Sequence, residues 1–401
     1  MSGAHTTAER PATGGRRRPR LRRALLACAV GAAALAPVGV HAAAAAPALV
    51  IRHVEPHTVT TPAAIRPHGA ADQPGCSATG VGSPTASTGY WLAGADGSVY
   101  SCGDAPWYGS LTSQHVRPDG PVVGITSFGS GYWLVTSRGA VYTFGQVQYE
   151  GRADPAQLQS PVVGMGTPLC QGWCGYWLVT QDGAVLDFGS PASALGSPGN
   201  IHLNSALVGM AVTPEPLFHC YATRLFCDQG YWLAAADGGV FAYGADGGDG
   251  WNGTGAHFLG STGCMRLNQP IVGIAPSADT TDVGTNTACH VGPLQSGGYW
   301  MVARDGGIFA FGTAPFLGST GCLVLNRPVV GMAASQDSTT AGSNTACLPA
   351  GGSAPLPPGG YLMFASDGGV FTFGNAGFVG SLPGSGIAVD DVVGGAVYAP
   401  L

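Results

Sequence analysis

The side chains with the most chemistry to offer are cysteines. Of eleven, all but Cys28 fall in neighbouring pairs: Cys76 and Cys102, Cys170 and Cys174, Cys220 and Cys227, Cys264 and Cys289, Cys322 and Cys347. Such pairs suit either disulfides or a metal. Structural zinc takes paired short-spacing thiolates or histidines, which the Cys170/Cys174 and Cys220/Cys227 segments lack, so five disulfides are expected and no metal or other cofactor. The last two pairs stand in duplicated contexts, Gly260-Ser261-Thr262-Gly263-Cys264 against Gly318-Ser319-Thr320-Gly321-Cys322, which predicts duplicated bridges. Joining Cys264 to Cys289 requires the insert from Pro276 to Thr287 to fold back along an apolar strand.

Other reactive groups are scattered. Asp246 and Asp249 in a Gly-rich loop fall short of the roughly six to eight oxygens that calcium takes. His53, His57 and His68 occupy a Pro/Ala/Thr-rich stretch and read as solvated, while His219, His290, Asp279 and Asp282 form no catalytic pattern. No nucleophile elbow, zinc-protease helix or phosphate loop occurs. The expectation is therefore a protein without catalytic residues.

Positioning comes from a phrase that recurs six times. Gly-Tyr-Trp, an apolar pair, a Gly-containing turn and an aromatic strand begin at Gly89, Gly131, Gly175, Gly230, Gly298 and Gly360, at intervals of 42 to 68 residues. That period suits one small antiparallel sheet per unit. In the second unit the expected strands are Val122–Ile125, Tyr132–Val135, Ala140–Phe144 and a weaker fourth near Val147–Tyr149. The fold class is accordingly all-β: a six-bladed β-propeller of four-stranded antiparallel blades. Asp96-Gly97, Asp182-Gly183, Asp237-Gly238, Asp305-Gly306 and Asp367-Gly368 predict type I′ hairpin turns, with Arg138-Gly139 in the second unit. Those Asp residues are turn formers rather than ligands.

Trp91, Trp133, Trp177, Trp232 and Trp300 sit mid-strand, and Leu362 replaces them in the sixth unit. A swap that keeps apolar packing but removes a stacking plane marks the position as core. The first unit lacks a preceding Val-Val-Gly strand, whereas the chain ends with a spare one, Val392–Val397. That strand is expected to complete the first blade and close the ring.

Before the repeats, seven Arg from Arg10 to Arg23 precede an apolar stretch, Ala24 to Val40, and an Ala-rich run. Residues 1–46 therefore read as a signal peptide cut between Ala43 and Ala46, residues 47–87 as a linker, and 88–401 as the propeller with its disulfide-bearing inserts. An uncleaved anchor is the runner-up, weakened by Pro37 and His41; a lipobox at Cys28 is discounted. Beyond the signal, nine Arg face 21 acids and Lys is absent, so nucleic acid and anionic membranes are poor partners.

The phrases 230–244 and 298–312 resemble the repeats of secreted actinobacterial proteins, often attached to other exported modules. The resemblance covers residues 89 to 400. It implies an extracellular propeller-like array and carries no catalytic residues; the cysteine-bearing inserts, and Cys102 where other units hold Phe144, Phe311 and Phe373, depart from it. The resulting expectation is a secreted or wall-associated monomer without a membrane span after cleavage, binding a cell-wall glycan or an exported protein. Inserts precede the Gly-Tyr-Trp strand in units three to six, hence on one face, and Trp173, Tyr221, Arg224 and Trp251 are the candidate contacts. The alternative is a glycan hydrolase, lyase or oxidoreductase with a site built from the insert loops.

Overall fold

The computed structural model describes residues 75–76, 89–168, 175–189, 195–199, 201–214, 229–244, 256–277, 289, 297–335, 347 and 359–398, all within one compact unit, Val54–Leu401. The expected signal peptide and, apart from Gly75–Cys76, the expected linker lie outside the described residues.

The described chain is all-β. In chain order the strands are β1 (Gly75–Cys76), β2 (Gly89–Gly94) and β3 (Val99–Gly103); β4 (Val122–Ser127), β5 (Gly131–Thr136) and β6 (Val141–Gly145); β7 (Val162–Gly166), β8 (Tyr176–Thr180) and β9 (Val185–Phe188). There follow β10 (Leu207–Val212), β11 (Tyr231–Ala235) and β12 (Val240–Tyr243); β13 (Ile271–Ser277), β14 (Gly298–Ala303) and β15 (Ile308–Gly312); β16 (Val329–Ala334), β17 (Gly360–Ala365) and β18 (Val370–Gly374); and finally β19 (Val392–Val397). Five consecutive triplets, from β4–β6 to β16–β18, are three-stranded antiparallel sheets with the Gly-Tyr-Trp strand in the middle. The first sheet has the order β1-β3-β2-β19, with the last strand antiparallel to β2 and β1 parallel to β3. A single 3₁₀ turn, Pro383–Ser385, is the only helical element among the described residues.

The leading strands lie side by side in succession: β4 against β7, β7 against β10, β10 against β13, β13 against β16, β16 against β19, and β19 against β4. Their Val-Val-Gly sequence explains how they approach so closely. Each is bulged at its second residue, as between Val122 and Gly124, and the glycine that follows faces its counterpart next door at Gly124, Gly164, Gly273 and Gly331. A Cβ on Gly273 would stand 3.3 Å from Gly331 Cα, so any side chain would push neighbouring sheets apart.

Turns lock the same neighbours together. Ser137 donates its N–H to Pro121 O and accepts from Val162 N–H, tying the strand start of its own sheet to that of the next. Gln181, Ala236, Arg304 and Ser366 repeat this, and Ala95 joins Asp391 to Val122 in the same way.

These turns differ from the expected type I′. Only the glycine takes a positive φ, 85° at Gly97 and 81° at Gly306, and no Asp does. Gly97 N–H donates to Gly94 O, and Gly94 N–H to Ser98 O, which is a type I turn followed by a left-handed glycine bulge. The Asp carboxylates serve the turn as expected: Oδ1 of Asp237, Asp305 and Asp367 accepts from the N–H two residues on, at 2.9–3.1 Å.

The expected fourth strand near Val147–Tyr149 is not a strand. Its carbonyls serve side chains rather than a ladder. Gln148 O accepts from Trp133 Nε1 at 2.8 Å, and Gly151 O from the Tyr176 hydroxyl of the next sheet at 2.5 Å. A segment whose acceptors are spent this way has few left for a β-partner.

Candidate functional site

The repeated aromatics are structural. Every Tyr of the phrase donates its hydroxyl to a glycine carbonyl in the loop after the preceding sheet: Tyr132 to Gly109, Tyr176 to Gly151, Tyr231 to Gly196, Tyr299 to Gly260, Tyr361 to Gly318, and Tyr90 to Gly380. Burial pushes all six phenols well above the ordinary 10, with the backbone groups around each hydroxyl partly offsetting it. Trp91, Trp133, Trp232 and Trp300 donate Nε1–H to the loop of their own sheet at 2.7–2.8 Å. All five Trp of the phrase, Trp177 included, also pack on the Tyr of the next sheet, at centroid separations of 5.1–5.8 Å. At most 4% of any of these tryptophans is exposed. No plane is left for a ligand.

Where the sixth sheet meets the first, the repeat is rewritten. Leu362 replaces Trp, and Phe364 stands where other units have Ala93, Val135 or Val302. Gly395 replaces Ile or Met on the leading strand, and a Cβ there would fall 2.8 Å from the Phe364 ring. The lost indole and the gained phenyl roughly conserve core volume. Cys102 takes the place of Phe and is bonded to Cys76, both buried in one cluster with Tyr90, Leu362 and Phe364.

Three of the five expected disulfides are present, Cys76–Cys102, Cys264–Cys289 and Cys322–Cys347, with Cα separations of 4.7, 5.7 and 5.8 Å. Cys170, Cys174, Cys220 and Cys227 lie outside the described residues. The duplicated bridges meet the expectation that the fifth insert must return along its strand for Cys289 to reach Cys264. Gly263 and Gly321, next to Cys264 and Cys322, rest against the turn glycines Gly239 and Gly307, while Ser277 and Gly298, between which the fifth insert lies, pair at the opposite end of their sheet. Chain that departs at one end is thus anchored at the other, by Cys289 and Cys347.

The bridges also differ in access. Cys264 and Cys322 are exposed, whereas Cys76 and Cys102 are 6% and 0% exposed. A mild thiol is therefore expected to open the two duplicated bridges first and leave Cys76–Cys102 closed until the fold is lost. Cys76→Ser should cost about 3 kcal/mol, since the bridge closes a loop of moderate length. Urea denaturation of the two proteins checks this; equal midpoints would refute it.

The candidate contacts Trp173, Tyr221, Arg224 and Trp251 lie outside the described residues, as do His219, His290, Asp279, Asp282, Asp246 and Asp249. Among the described residues no three His, Cys, Asp or Glu gather as a metal site, and no helix is long and apolar enough to cross a membrane.

One described cluster escaped the sequence reading. On the second sheet Arg152 Nη2 bonds Asp119 Oδ2 at 2.9 Å, the only salt bridge among the described residues, and Thr136 Oγ1 donates to Asp119 Oδ1 at 2.8 Å. Tyr142 and Tyr149 stand alongside; burial chiefly raises both phenols, the Asp119 charge raises that of Tyr142 further, and the Arg152 charge lowers both. The neighbouring Glu150 carboxyl is raised by burial. Aligning the units through Gly151, as against the Gly-Tyr-Trp phrase alone, is the signal that finds it.

No family model matches the chain, and no curated protein does. Among solved structures, it is similar to the computationally designed Ika8 protein at 12% identity, covering 74% of each chain with a TM-score of 0.32. It is also similar to BBS1N in complex with ARL6DN, in a mercury-soaked crystal at 11% identity, 66% of this chain, 81% of that one and a TM-score of 0.31. The lead-soaked crystal gives 12% identity, 71% and 69% coverage and a TM-score of 0.33. Likenesses this slight carry no argument about function.

Proposed function

We propose that the chain is an exported, noncatalytic, six-bladed β-propeller that binds a glycan or a protein at the cell envelope. Six sheets, one per repeat, form the blades, and β19 closes the ring by completing the first. The N-terminal Arg-rich and apolar segment directs export, which accords with cysteines that pair as disulfides. Binding falls to what departs from the repeat. The observation that carries this reading is the pair of duplicated bridges, Cys264–Cys289 and Cys322–Cys347, which fasten two inserts to rigid turns. Loops held on a rigid scaffold lose little entropy on binding, so their contacts contribute more fully to affinity.

The test is retention of the refolded, disulfide-intact protein on purified cell wall beside a variant with the inserts of units three to six trimmed. The expected result is retention of the intact protein and loss of it on trimming. Equal retention, or none by either, overturns the proposal.

A further inference from the structure

The second unit breaks the repeat at several neighbouring positions at once. Five units follow their Tyr-binding glycine with serine, at Ser110, Ser197, Ser261, Ser319 and Ser381; the second has Arg152. Three residues before the leading strand the others carry Gln159, Asn204, Asn268, Asn326 or Val389; the second has Asp119. Where the fourth, fifth and sixth units place two phenylalanines, Phe241 with Phe258, Phe309 with Phe316, and Phe371 with Phe378, the second has Tyr142 and Tyr149.

Folding does not require these changes. Units three to six form the same three-stranded sheet without them. An ion pair whose side chains remain 41% and 27% exposed contributes little to stability. What the changes create is a surface of a particular chemistry. Tyr149 is 38% exposed and offers part of an aromatic ring, Tyr142 is half-buried beside it, and the Arg152–Asp119 pair holds a planar fork of donors against a carboxylate that still has lone pairs to give. A pyranose presents the matching groups: a C–H face to lie on an aromatic ring, and adjacent hydroxyls that both donate and accept. The charges of Arg152 and Asp119 cancel, and the neighbouring Glu150 leaves the patch without excess positive charge, so an anionic chain is not favoured.

We propose that Asp119, Tyr142, Tyr149 and Arg152 form a binding site for a neutral saccharide chain. This deepens the reading of the protein as a binding module and rests on it, but places the sugar on the second blade, away from the disulfide-held inserts.

Calorimetric titration of the full disulfide-intact chain with cellohexaose, maltohexaose and hexa-N-acetylchitohexaose tests the site. Saturable binding to at least one is expected, weakened about tenfold by Arg152→Ser or Asp119→Asn, each of which loses hydrogen bonds to a charged group. Both substitutions install residues found at this position in other units, so the fold should persist. Tyr149→Ala should also weaken binding, whereas Phe316→Ala, at the equivalent place in the fifth unit, should not. Failure of all three sugars to bind, or binding indifferent to Arg152→Ser and Tyr149→Ala, overturns the proposal. Wall retention separates the two ideas: loss on trimming the inserts with indifference to Arg152→Ser keeps the insert-based function and rejects this site, and the reverse pattern keeps the site and rejects the inserts.

Discussion

Raising the pH through the ordinary tyrosine range is expected to unfold the protein in one steep step. Tyr90, Tyr132, Tyr176, Tyr231, Tyr299 and Tyr361 are raised from 10.0, chiefly by burial. Each binds its proton more tightly folded than unfolded. Below about pH 10 both states keep the proton and stability is unaffected; above it the unfolded chain loses protons that the folded chain retains, so stability falls as pH rises. Each tyrosine contributes a slope of about 1.4 kcal/mol per pH unit, and six together about 8. A domain is stable by about 5–15 kcal/mol, so the transition should arrive within about one to two units above pH 10. Phenolate absorbance measured beside far-ultraviolet circular dichroism checks it. The six phenols should ionise together with loss of β-structure, and Tyr299→Phe should make the transition shallower by one proton. A chain that keeps its sheets while all its tyrosines ionise would refute the account.

That expectation depends on a feature that the sequence displays only in part. The Gly-Tyr-Trp phrase, its position mid-strand and the Leu362 substitution were enough to place these rings in the core, because strand alternation and volume are properties of the residue itself. The hydroxyl partners were not legible, since Gly109 and Gly260 lie in the preceding unit and belong to a segment whose composition suggests a strand. Alternation in Val147–Tyr149 signals an extended chain but not where its carbonyls go. The turns show the same division: Asp-Gly announces a reversal, but its left-handed glycine serves a two-residue and a bulged hairpin alike. Arg152 and Asp119 lie 33 residues apart and carry no motif. They stand out only when each unit is compared with its five siblings, so a substitution unremarkable in one sequence becomes a departure in a repeat.

A chain ending at Asp391 is expected not to fold cooperatively, and this has the largest effect of any change considered. β19 supplies the partner of β2 from Val392 against Gly94 to Val397 against Tyr90. Its loss removes that ladder and the bond from Val392 N–H to Ser366 O, and uncovers Trp91, which packs on Tyr398 at a centroid separation of 5.4 Å. It also takes away Val392 and Ala396, buried against two different clusters. In an open stack the end sheet could fray and the rest would melt nearly unchanged. In a closed ring the first and sixth sheets are neighbours, and removing their shared strand leaves Tyr90, Leu92 and Phe364 facing water together, which no single sheet can offset. Thermal melting and limited proteolysis distinguish these cases. Closure predicts a truncated chain without a sharp transition, whose fold returns when a peptide spanning 388–401 is added. A truncated chain that melts like the full one would show that β19 decorates an open array, and the proposed ring would fall.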